Sequence, residues 1–345
     1  MIRSEFSRLG LSPSFRIADT AEVDVLATSV MNETIDFFYE TDKDFPLFTE
    51  CFSSIRGQDA LVDIFLNVST KCASIPEGIE FLRQSAEQTE KEADLDFFDT
   101  SFGQILCRQV SDFAAYLCDV FGSACAYIEE HPEYQAAYAE TFASLKATSK
   151  SILEATHAPG AYVAISQILA SYKLPAMGRL KKDTELTSEM ALFKDLRTAL
   201  DKKIKDLYKK KFSKSCETIA RAMHETAHHT QKLYELLAEY ETRMDQQKKD
   251  KNFLTFSDIH RYALKLLVNE DGTPTEVALS CAEAFSEIYI DEYQDVDRVQ
   301  DTIFRAISRK DNRFMVGDIT CLGPFLADQH PPAVVVVRGR GQPPK

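Results

Sequence analysis

From about residue 21 to residue 247 apolar positions recur at intervals of three and four. Glycine is scarce there, and proline falls between the periodic stretches, at Pro46, Pro76, Pro132, Pro159 and Pro175. This pattern predicts a succession of helices. Residues 101–127 and 132–153 read as amphipathic helices. The clearest helix covers residues 216–247, where Ile219, Met223, Thr226, Thr230, Leu233, Leu237, Tyr240 and Met244 form one seam at alternating steps of four and three.

A polar break at residues 246–251 ends this character. Thr255 or Ser257 is placed to cap a helix over residues 259–268, with Asp258 in its first turn. Asp271-Gly272-Thr273-Pro274 signals a turn, and a short helix follows. Glu287-Ile288-Tyr289-Ile290 is a compact β-prone run. Residues 296–308 read as a helix, and Arg313-Phe314-Met315-Val316 as a second short strand ending at Gly317-Asp318. Strand, helix and strand in this order predict a βαβ unit and a parallel pair. Beyond Asp318 the text turns irregular. Only residues 333–337 there offer an edge strand, and the rest is expected to be poorly ordered.

A hydrophobic fraction of 44% over 345 residues permits a sizeable core, and 27% charged residues is ordinary for a soluble chain. The formal net charge of −14 excludes a surface that attracts nucleic acid everywhere, but leaves room for a local basic strip. The eight cysteines show no C-x-x-C pair, which fits reduced thiols in a cytoplasmic protein. No secretory h-region follows Met1, and no apolar run reaches the length of a membrane span.

The candidate chemistry lies at Asp291-Glu292-Tyr293-Gln294-Asp295, directly after the first strand. A carboxylate at the C-terminal end of a parallel strand is where P-loop ATPases help hold Mg²⁺ beside the nucleotide phosphates, and a neighbouring carboxylate can orient or deprotonate water. Acidic residues also follow strands merely because loops are solvated. The complete Asp-Glu-x-Gln-Asp string between a strand and a helix, with Gly317-Asp318 ending the next strand, is much more specific than Asp-Glu alone.

The strings 288–295, Val299-Gln300 and 314–318 resemble motifs II and III of UvrD/Rep-type superfamily-1 DNA helicases. They are most similar to the AddA subunits of ATP-dependent helicase–nucleases. Pro13-Ser14-Phe15-Arg16-Ile17-Ala18-Asp19 resembles the segment leading into the family's inserted helical subdomain 1B, and Leu254-Thr255-Phe256-Ser257-Asp258-Ile259 its return to the motor, so the likeness spans about residues 9–318. It implies a mainly α fold with a small C-terminal α/β element from a P-loop motor core. Residues 1–20 would lead in from the motor, 21–250 form the 1B-like subdomain, 251–318 part of domain 1A, and 319–345 a tail foreign to the family. It further implies that Asp291 binds Mg²⁺, Glu292 is the catalytic base, Gln294 couples nucleotide state to DNA movement, and Asp318 belongs to motif III beside the nucleotide. The implied activity is ATP-driven DNA unwinding in double-strand break repair and recombination, with DNA as substrate and an AddB-type subunit for a partner.

The chain departs from that pattern in one decisive respect. None of its 12 glycines is followed by lysine, so the Gly-Lys-Thr or Gly-Lys-Ser phosphate loop is missing from this sequence. Ile319-Thr320-Cys321-Leu322 stands where the family carries a Gln-Ser-Ile-Tyr type segment. Both ends read as truncated, and the chain by itself is expected not to hydrolyse ATP or hold ATP and Mg²⁺ tightly.

Two further signals compete. Lys202, Lys203, Lys205, Lys209 and Lys210, with Tyr208 among them and Lys211 and Lys214 beyond, could grip phosphates while the ring stacks on a base, or simply form a solvated helix face. They make a non-catalytic helical DNA- or protein-binding module the alternative to a helicase fragment. His224-Glu225-Thr226-Ala227-His228 fits the H-E-x-x-H zinc-peptidase pattern, a remote alternative, because no third-ligand motif follows and the pattern sits within a long seam-bearing helix.

Overall fold

The computed structural model describes residues 7–12, 14–52, 58–317 and 335–337. In chain order these form β1 (Arg16–Ile17), α1 (Thr20–Thr41), α2 (Phe45–Glu50), α3 (Gln58–Ala73), α4 (Glu80–Glu92), α5 (Ser101–Glu130), α6 (Pro132–Ala155), α7 (Ala161–Ser171) and α8 (Ser188–Leu207). A π-helical turn at Tyr208–Phe212 follows. Then come α9 (Cys216–Asp250), β2 (Phe253–Leu254), α10 (Phe256–Leu267), α11 (Glu276–Ala284), β3 (Ile288–Ile290), α12 (Arg298–Ala306), β4 (Arg313–Gly317) and β5 (Val335–Val337). The fold is mainly α, and no helix among the described residues is long and apolar enough to cross a membrane. Asp318, and all of the tail except β5, lie outside the described residues.

Two compact units divide the chain. One comprises residues 85–228, and the other residues 1–84 together with 229–345. In the first, α5 presents Val110, Ala114, Leu117, Phe121, Ala124 and Ile128 at steps of three and four, so they line one face of the helix. Tyr134, Tyr138, Phe142, Leu145 and Ile152 of α6 pack into the same core. Pro132 begins α6, where its missing N–H costs no hydrogen bond, and the Thr187 hydroxyl caps α8 by accepting from the Met190 N–H at 3.3 Å.

In the second unit, β1 pairs in parallel with β2, Arg16 opposite Phe253 and Ile17 opposite Leu254. Segments more than two hundred positions apart in the chain thereby meet in one two-stranded ladder. Asn252 precedes β2 at φ 53°, a left-handed conformation that Asn tolerates well, and its carbonyl accepts from the Arg16 N–H at 3.2 Å. Of the two capping candidates it is Thr255 that begins α10, its hydroxyl accepting from the Asp258 N–H while the Asp258 carboxylate accepts from the Thr255 N–H. Lys248 lies 2.8 Å from both Asp245 and Asp258, tying the end of α9 to the start of α10.

One detail of the α9 seam differs from the pattern read in the sequence. Thr226 is exposed and its hydroxyl donates to the Ala222 carbonyl at 2.7 Å, while Ala227 takes the buried position. The step from Met223 to Ala227 keeps a small apolar residue inward, where a threonine would bury a hydroxyl.

Candidate active site

β3, α12 and β4 form the expected βαβ unit. β3 and β4 run parallel with Ile288, Tyr289 and Ile290 opposite Arg313, Phe314 and Met315, and β5 pairs in parallel on the far side of β4. Asp297 caps α12 in a capping box with Gln300, which fixes where the helix starts relative to the strand before it. Asp291 and Glu292 follow β3 directly, and both are exposed. Their carboxylates therefore meet solvent at the C-terminal edge of a parallel sheet, the place where open α/β folds put their ligands.

The backbone there is unusual. Glu292 sits at φ 47° and ψ 43°, in the left-handed region that costs a residue with a Cβ about 1–2 kcal/mol. A single tight turn follows, in which the Asp295 N–H donates to the Glu292 carbonyl at 2.8 Å and the Val296 N–H to the Tyr293 carbonyl at 3.2 Å. Asp291 Oδ1 accepts from the Glu292 N–H at 2.9 Å, and the Gln294 amide donates to Glu292 Oε2. Asp291, Glu292 and Gln294 thus form one constellation. Gln294 also faces the end of β4. A Cβ added at Gly317 would stand 2.7 Å from Gln294 Oε1 and 3.3 Å from the Gln294 and Tyr293 backbone nitrogens. Only glycine lets the two strand ends approach this closely.

Tyr293 carries a role that the motif string did not disclose. Its ring is buried with Ile290 and Met315, and its hydroxyl donates to Asp301 Oδ1 at 2.6 Å. Burial, then the hydrogen bond to Asp301, pushes this phenol up to about 12. The capping-box spacing at Asp297 and Gln300 hinted that Asp301 lies one turn into a helix, but not that it faces the motif.

The lysine run is distributed differently. Lys202, Lys203, Lys205, Lys209 and Lys210 are exposed, Lys205 pairs with Asp201 at 2.9 Å, and Lys210 lies 3.9 Å from Asp206. Tyr208 is part-buried against the helical core rather than standing clear as a stacking surface. The π-helical turn swings Lys210 and Lys211 to a cavity of about 380 Å³, where Lys214, Phe97, Phe102 and Ile105 join them. Tyr162 fixes this turn, its hydroxyl donating to the Lys211 and Lys214 carbonyls at 3.0 and 2.9 Å, and the Ser166 hydroxyl donates to the Phe212 carbonyl at 2.8 Å. Phe102 and Ile105, which are 58% and 55% exposed, had one sequence signal: they are apolar positions of α5 that lie off its core seam.

At the H-E-x-x-H pattern, both ring nitrogens of His224 face carboxylates, Glu90 at 3.0 Å and Asp94 at 3.4 Å. These hydrogen bonds, Glu90's first, raise the imidazole above its ordinary value. No group of three or more His, Cys, Asp or Glu among the described residues is arranged to hold a metal ion.

The site is thus a parallel strand–helix–strand with an Asp-Glu-x-Gln corner held against a glycine at the next strand end. The chain matches the UvrD/REP helicase N-terminal domain over residues 1–320 and belongs to that family. Among curated relatives, the AddA subunit of the ATP-dependent helicase/nuclease from Clostridioides difficile (strain 630) is 26% identical over 334 residues, covering 92% of this chain and 26% of the relative. The protein of the same description from Acetivibrio thermocellus is 27% identical over 331 residues, with 92% and 26% covered. That from Lachnoclostridium phytofermentans is 29% identical over 330 residues, with 92% and 24% covered. The chain spans about a quarter of the length of these relatives.

Proposed function

We propose that the chain supplies the helical insertion and part of the motor domain of an ATP-dependent DNA helicase/nuclease that works in double-strand break repair and recombination. The observation that carries this reading is the Asp291–Glu292–Gln294 corner at the end of β3, closed against Gly317 at the end of β4. In this assignment residues 1–20 lead in from the motor and 21–250 form the 1B-like subdomain. Residues 251–318 belong to domain 1A, and 319–345 are a tail of other origin. DNA is the substrate, and an AddB-type subunit is the partner of the intact protein.

The exposed oxygens of Asp291 suit Mg²⁺, a hard cation that typically takes one or two carboxylates and leaves its other positions to water and phosphate oxygens. When bound, Mg²⁺ neutralises charge on the transferring phosphoryl group. Glu292 accepts the proton of the attacking water, and Gln294, hydrogen-bonded to Glu292 and packed on Gly317, links that carboxylate to the end of β4. Asp318, which the resemblance assigns to motif III, lies outside the described residues.

The chain by itself does not turn over ATP in this reading, because no Gly-Lys pair occurs in it to cradle phosphates. A steady-state assay with single-stranded DNA should give no turnover above background, and DNA-stimulated ATP hydrolysis abolished by Glu292→Gln would overturn that part. Sequencing the flanking genomic DNA tests the whole: an upstream frame encoding a Gly-Lys-Thr loop supports it.

A second reading, a helical nucleic-acid-binding module, is favoured by the cavity that joins Lys210, Lys211 and Lys214 to Phe102. Fluorescence anisotropy with a labelled single strand should give salt-dependent binding. Neutralising these three lysines should flatten the slope of log K against log salt by roughly 0.7 per lost phosphate contact. Absence of binding at low salt would remove this reading.

A further inference from the structure

We propose that Asp301 is a positioning residue for Glu292, acting through the hydroxyl of Tyr293 and anchored by Arg305. The inference rests on the assignment of Glu292 as the proton acceptor.

Glu292 is held in a left-handed conformation that its side chain disfavours, so its neighbours must impose it. On the upstream side Ile290 is fixed by pairing with Met315. On the downstream side Tyr293 is fixed three times. Its ring is only 5% exposed, its carbonyl accepts from the Val296 N–H, and its hydroxyl donates to Asp301 Oδ1 at 2.6 Å. Asp301 is itself buried at 8% exposure, and its other oxygen accepts from Arg305 Nε at 2.7 Å. Both carboxylate oxygens are therefore engaged, and by charge-assisted bonds of the shorter and stronger kind. Asp301 stands one turn inside α12, whose start is locked by the Asp297–Gln300 capping box, so the relay refers the turn to a rigid helix.

A phenylalanine at 293 would fill the same apolar site. The hydroxyl adds direction: it sets the rotation of residue 293 about the chain, and with Ile290 fixed, only Asp291 and Glu292 remain to absorb any slack.

The test is to follow the Glu292 amide by TROSY relaxation dispersion in the deuterated full-length chain, alongside thermal melting. Tyr293→Phe and Asp301→Asn should each turn a single sharp resonance into an exchange-broadened one, with a severalfold rise in transverse relaxation. The double variant Tyr293→Phe/Asp301→Leu removes both partners of the buried Tyr–Asp bond and leaves Arg305, whose side chain is 44% exposed, to be solvated by water, so it should melt near the parent temperature. Its Glu292 amide should stay broadened, which a merely structural role would not produce. A sharp, unshifted Glu292 amide in all three variants would overturn the proposal, whatever happens to melting. A separate arm titrates Mn²⁺ into the parent chain. Because the chain alone is expected to hold the ion only weakly, the titration runs to millimolar Mn²⁺. Relaxation enhancement confined to Asp291 and Glu292 supports the metal-side assignment of the corner, enhancement centred on other carboxylates counts against it, and the dispersion result alone decides the relay.

Discussion

In the helical unit of residues 85–228, Phe121, Tyr134, Phe142 and Tyr162 are enclosed on all sides, and polar groups such as the Tyr162 hydroxyl are paired with backbone carbonyls. At the β3–α12–β4 corner the apolar cluster is small, with Ile290, Tyr293 and Met315 as its buried members among the described residues, while Asp291 and Glu292 face solvent and Glu292 is strained. The first region is held by apolar area, which tolerates local rearrangement as long as volume is filled. The second depends on a few directed bonds, each with a specific partner. Shape is stored in the one, and chemical geometry in the other.

The largest effect should come from emptying the helical core. Phe142→Ala is expected to cost about 3–5 kcal/mol in urea unfolding, with the Gln294 and Gly317 amide signals unmoved. Displacement of those signals by the same substitution would break the distinction between the two regions. Next is Gly317→Ala, which sets a methyl against Gln294 and the backbone of the turn. Such overpacking costs about 1–3 kcal/mol, and here the Gln294 side-chain amide should shift while α6 resonances stay in place. Thr255→Ala removes half of the α10 capping box, and should lower stability by about 1 kcal/mol. A loss much above that would mean that α10 is held by its cap rather than by its buried face.

The smallest effect concerns His224. Glu90 first, then Asp94, raises its pKa, so the protonated form is favoured in the folded chain. Its contribution to stability is complete below the ordinary imidazole value of 6.5 and fades as pH rises through the higher folded value. An NMR titration of the His224 ring should show the midpoint fall in Glu90→Gln. An unchanged midpoint would remove Glu90 as the cause.

What the sequence disclosed follows the range over which each feature is encoded. α5, α6 and α9 were legible because helical periodicity is written in every turn, and β3, α12 and β4 because the motif string and strand-forming residues are contiguous. Thr226 was misplaced on the seam because a step of three and a step of four from Met223 both stay on the same broad helix face, and only packing chooses Ala227. The Tyr293–Asp301 bond was hidden because neither residue signals a partner. The cavity that gathers Phe102 with Lys211 was illegible because it joins positions more than a hundred residues apart. The left-handed turn at Glu292 was unreadable for a different reason: glutamate carries no preference for it, so the conformation is imposed entirely from outside.

That last feature has an evolutionary reading. A position where the required side chain and the preferred backbone disagree is kept only while selection acts on the side chain. Glycine or asparagine at residue 292 would relax the backbone and add stability, so a lineage in which this corner had fallen out of use would drift toward them readily. In this chain the position carries glutamate at φ 47°, so the backbone there is held against the preference of its own side chain.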